Sequence, residues 1–66
     1  MSPPHKIIIE HIGKGRYSVH HADETLIGAT RQPEFDACRA LLARGITGRL
    51  ETWRHDVPYP CMRLDI

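Results

Sequence analysis

The sequence predicts a small α+β domain: an antiparallel β-sheet with one α-helix packed on one face, in the order βββαββ. Three observations predict it. The first half holds a β-branched run and two alternating runs, separated by short turns. The middle carries apolar residues at helical spacing between a start signal and a stop signal. The last two apolar runs match each other in register by hydrophobicity and by charge. With 66 residues, a single α+β domain over 1–66 is the count the length allows.

The first strand is Lys6 to Ile12, reading KIIIEHI, and it stops at Gly13-Lys14-Gly15. The second is Arg16 to His21. A three-residue loop pairs Ile12 with Arg16, which sets His11 opposite Tyr17, Ile9 opposite Val19 and Ile7 opposite His21. Ile7, Ile9, Tyr17 and Val19 then share one face. Ala22-Asp23-Glu24 is the next turn, and Thr25 to Ala29 the third strand. Pairing His21 with Thr25 puts Ile27 beside Val19 and Ala29 beside Tyr17, so the same face stays apolar.

Thr30 is placed to cap the helix, Pro33 is tolerated in its first turn, and Glu34 and Asp36 suit the positive end of its dipole. Phe35, Cys38, Leu41 and Leu42 fall on one stripe, and Gly45 is a good C-terminal cap. Ile46 to Arg54 and Pro60 to Ile66 form the last pair. Leu50 then faces Leu64 and Thr52 faces Met62, while Glu51 meets Arg63 and Arg49 meets Asp65 on the other side.

Composition narrows the class. The chain is 41% hydrophobic and 26% charged, which is globular rather than disordered. A domain this small buries only about 60% of its unfolded surface, so its core is thin. Two cysteines are too few for a secreted disulfide framework, and they read as free thiols in a reducing compartment. No run approaches the ~20 apolar residues of a membrane span, and the polar start is unlike a signal peptide. A cytoplasmic location is expected. Nine basic against eight acidic residues give a net charge of +1, unlike a strongly basic nucleic-acid binder.

Five histidines raise the question of a metal. His20 and His21 are adjacent in a strand and point to opposite faces, and no zinc-type ligand spacing occurs, so no metal site is expected. Gly13-Lys14-Gly15 lacks the helix and the Lys-Ser/Thr ending of a phosphate loop, so no cofactor is expected. Cys38 lies on the helical stripe and Cys61 has no histidine or acid brought to it by sequence, so no catalytic residue is assigned. A domain of this length offers little room for a typical pocket of ~300 Å³ or more.

Two features point to a binding surface. Arg49, Arg54 and Arg63 share the last hairpin with Trp53 and Tyr59, residue types enriched at interface hot spots. Ile8, Ile12 and Leu26 point away from the helix side and have nothing to cover them, which suggests a protein partner or a homodimer. The same arginines and Trp53 could instead stack on and neutralise single-stranded nucleic acid. Glu51 and Asp65 offset two of the arginines, so the protein partner is favoured.

The stretch from Lys6 to about His55 resembles a group of short uncharacterised bacterial proteins, best represented in alphaproteobacteria and their prophages. The resemblance rests on Arg16-Tyr17 after the glycine turn, on Thr30-Arg31-Gln32-Pro33, and on the helix from Asp36 to Gly45. It implies a stand-alone domain, and by analogy of size a phage-encoded inhibitor of a host nucleoprotein complex, in the manner of anti-CRISPR proteins. It assigns no catalytic residue.

Overall fold

Three antiparallel connections and one helical crossover determine the course of the chain. The computed structural model describes residues 3–66. The elements are β1 (His5–Gly13), β2 (Arg16–His21), β3 (Glu24–Thr30), α1 (Pro33–Ala43), β4 (Arg49–Arg54) and β5 (Met62–Asp65), the expected order. All five strands form one sheet, ordered β3-β2-β1-β4-β5.

The sheet is mixed rather than purely antiparallel, because β1 and β4 pair in parallel, Ile7 opposite Thr52 and Ile8 opposite Trp53. The reason is topological. Two hairpins leave β3 running in the direction of β1, and a helical crossover returns the chain to start a strand in that same direction. Once β4 lies beside β1, the pair must be parallel.

β1 is the central strand, with a neighbour on each side, and its isoleucine run suits that position. Ile7 and Ile9 are fully buried, and with Val19, Ala37, Leu41 and Leu50 they form the core. The pairs Ile7–His21, Ile9–Val19 and His11–Tyr17 are as expected. The turn is tighter than expected: Gly13, not Ile12, faces Arg16. Lys14 (φ 53°) and Gly15 (φ 69°) both take left-handed backbone, the requirement of a type I′ turn. Gly13 at φ 105° absorbs the irregularity, and Ile12 slips out of the ladder.

The β2–β3 pairing keeps Val19 opposite Ile27 but shifts register on both sides of it. His21 faces Glu24 and Tyr17 faces Thr30, instead of Thr25 and Ala29. The extra residues are bulges in β3. One of them turns Leu26 onto the core cluster, next to Ile27, rather than onto the outer face with Ile8.

The helix starts at Pro33, later than a Thr30 cap would give, because proline takes the first turn and Gln32 is the N-cap. The Thr30 hydroxyl accepts from the Gln32 N–H at 3.0 Å and donates to the Asp36 carboxylate. At the other end Gly45 (φ 75°) donates to Leu42 O and Ile46 donates to Leu41 O, both at 3.0 Å, a Schellman closure that returns Ile46 to the core. The buried stripe differs from the expected one. Ala37 and Leu41 are fully buried and Cys38 half-buried, while Phe35 is 59% exposed and Leu42 51% exposed. Phe35 lies roughly 200° around the helix from Ala37. The face is 34, 37, 38 and 41, and it includes Glu34, which the sequence marks only as suited to the positive end of the dipole.

All four expected β4–β5 pairs are present, and the ladder continues through Gly48 and Ile66. Ile9→Ala should cost about 2–4 kcal/mol, while Phe35→Ala on the exposed side should cost less than about 0.5 kcal/mol. Urea unfolding of the two variants checks the facing of the helix directly.

Candidate binding cleft at the strand ends

Because β1 and β4 are parallel, their C-terminal ends lie at the same edge of the sheet. The chain leaves β1 towards β2 and leaves β4 towards β5, in opposite directions. Such a divergence opens a crevice at the strand ends. Here it is a half-open cleft of about 650 Å³, more room than the length of the chain led one to expect, lined by Ile9 to His11, Tyr17, and Arg54 to Val57.

Its floor is organised by Arg54. Counting from Leu50 and Thr52, alternation puts Arg54 on the helix side of the sheet. Its Nη2 donates to Glu34 Oε1 at 2.5 Å, and both side chains are less than a third exposed. Its guanidinium lies 4.9 Å from the centre of the Tyr17 ring, and His11 meets the same ring at 5.1 Å. The hydrogen bond to Glu34 holds the guanidinium above its ordinary pKa, against the effect of burial, so it stays charged. His55 and Asp56 stand exposed on the turn after β4, which Val57 N–H closes by donating to Arg54 O at 3.2 Å. Ile12 is 49% exposed beside the cleft, and Tyr59, just beyond Val57, is 62% exposed.

The residues singled out from sequence divide into three places. Ile12, Arg54 and Tyr59 belong to the cleft end. Ile8, Trp53, Arg49 and Arg63 lie on the outer face of the sheet, where Ile8 pairs with Trp53 and the Lys6 ammonium covers the indole at 4.7 Å. Leu26 packs on the core and belongs to neither. The apolar part of the outer face is thus Ile8 with a partly shielded Trp53. The three arginines do not act together: Arg63 contacts Glu51 at 3.1 Å, Arg49 contacts Asp65 at 3.7 Å, and Arg54 is on the other face.

His11, Tyr17, Glu34, His55 and Asp56 were not singled out. Finding them needs the parallel β1–β4 contact, which joins residues some 45 positions apart in the sequence and leaves no local pattern. The other histidines have structural partners. His20 is held between the Ser18 and Thr25 hydroxyls at 2.9 and 3.2 Å, and His5 bonds Thr47 O and meets the His21 ring. Ser18 is only 8% exposed, so its hydroxyl is not presented to a substrate. Among the described residues, no group of three or more His, Cys, Asp or Glu side chains is placed to hold a metal ion. Nor is any helix among them long and apolar enough to cross a membrane. No known protein family, curated protein or solved structure matches the chain.

Arg54→Met should destabilise the protein by about 1–2 kcal/mol, and by less when Glu34 is already Gln, since the two act as a pair. A double-mutant cycle of urea unfolding measures the coupling. Both cysteines are free thiols, Cys61 exposed and Cys38 half-buried with its pKa raised by desolvation. Thiol labelling of the native protein at neutral pH should therefore modify Cys61 first, and peptide mapping reads the order.

Proposed function

We propose that this chain is a non-enzymatic protein-binding module that engages its partner at the cleft end. The observation that carries the reading is the placement of Ile12 and Tyr59. Both are exposed: Ile12 is the bulged residue of β1 next to the cleft-lining His11, and Tyr59 follows the cleft-lining Val57 by two residues, beside a cleft with a charged and aromatic floor. Anchors of this kind around a concave centre are what binding hot spots are made of. The packed floor supports it further: Tyr17 is contacted by both Arg54 and His11, so less side-chain entropy is left to lose on binding. An inhibitor of a host nucleoprotein complex, the role the resemblance implies, would use the same surface.

The pairing of Arg49, Arg54 and Arg63 with carboxylates argues for protein over nucleic acid as the partner. The test is capture from a bacterial lysate, with and without nuclease, using the wild-type chain and the variants Ile12→Glu and Tyr59→Ala. A nuclease-resistant protein partner should be retained by the wild type, and Tyr59→Ala should weaken it by about 2 kcal/mol or more. Parallel titration of labelled oligonucleotides decides the alternative. Binding with a log–log salt slope of about −2 to −3, weakened by Arg63→Ala, would overturn the protein reading.

A further inference from the structure

The two edges of the sheet are unlike. β3 is interrupted by two register shifts, a common way to discourage pairing with another chain. β5 is regular through all four of its pairs, and among the described residues no strand pairs with its far side. We infer that β5 is a self-association edge, on which a second copy of this chain adds its own β5 antiparallel to form a continuous ten-stranded sheet. This surface is distinct from the cleft.

Backbone geometry limits the registers. Gly48 and Ile66 exchange both of their hydrogen bonds, at 2.9 and 2.8 Å. By the alternation of an antiparallel ladder, Leu64 and Met62 also direct their N–H and C=O groups to β4. Arg63 and Asp65 direct theirs outwards. A second β5 can bond only through its own Arg63 and Asp65. Pairing Arg63 with its own copy opposes two like charges, and so does pairing Asp65 with its copy. The one remaining register sets Arg63 opposite Asp65 of the second copy, twice, with Leu64 on the two-fold axis.

That register matches on both faces. On the outer face it extends the existing pairs into alternating rows: Glu51, Arg63, then Asp65 and Arg49 of the second copy. On the helix side Leu64, now 44% exposed, meets its copy in a non-hydrogen-bonded position, where side chains approach most closely. Met62 meets Ile66, and both already pack on the core. A single short edge buries less than a standard interface, so the dissociation constant should be no tighter than about micromolar.

Sedimentation velocity of the full chain, from micromolar to millimolar concentration, tests the proposal. The wild type should dimerise, and Leu64→Lys and Leu64→Glu should each weaken association by about tenfold or more. An equimolar mixture of the two should restore it, because opposite charges then meet on the axis. A second readout needs no variant: amide exchange at Arg63 and Asp65 should slow as concentration rises, while Leu64, already bonded to β4, should not change. A chain that stays monomeric at millimolar concentration overturns the proposal. So does a dimer that persists in Leu64→Lys, or one that leaves the Arg63 and Asp65 amides unprotected. None of these outcomes bears on capture of a partner at the cleft.

Discussion

The contact between Arg54 and Glu34 sets how the rest of the molecule is arranged. It joins the first turn of α1 to the end of β4, two elements separated by the whole length of the helix and its return loop. A carboxylate on the core-facing stripe of a helix is costly unless a cation meets it. Arg54 meets it, which is compatible with a helix that turns its 34, 37, 38 and 41 positions to the sheet and leaves Phe35 and Leu42 outside. Ala37 can then lie close against the strands. The same guanidinium covers Tyr17 and makes the cleft floor, so one side chain serves both packing and the candidate site.

The central position of β1 is the second constraint. A strand hydrogen-bonded on both sides and packed by the helix on one face is the natural place for an isoleucine run. With β2 on one side and β4 on the other, the chain diverges at the far end of β1. The cleft follows from that divergence rather than from a loop inserted to make it. This explains how a domain of 66 residues has a concave surface with very little chain devoted to it.

The molecule also treats its surfaces unequally. β3 is broken by bulges, one of which draws Leu26 into the core and so removes apolar area from the outer face. The Lys6 ammonium over Trp53 shields more of it. What remains exposed is concentrated at the cleft end, on the solvent side of α1, and along β5. The cleft and β5 are the two surfaces proposed to bind. On the solvent side of α1 the Arg39 guanidinium lies over the Phe35 ring, 5.8 Å from its centre.

Order, hairpins and the last ladder were legible in the sequence, because each is determined by neighbours along the chain. The pairs Ile9–Val19, Leu50–Leu64 and Glu51–Arg63 follow from short turns and from alternation of period two. Gly45 reads as a helix stop because only a residue tolerant of left-handed backbone suits that position. Three things depended on tertiary structure. The parallel β1–β4 contact required knowing which strand the crossover lands beside, and no local signal carries that. The bulges at Ile12 and Leu26 came from turn geometry and sheet twist competing with ideal register. The rotation of α1 buries Ala37 and Leu41 and brings Glu34 to a cation twenty positions away, a match that only the fold makes. A hydrophobic pattern records which residues avoid water on average; it does not record that a charge will be met by its opposite inside the fold.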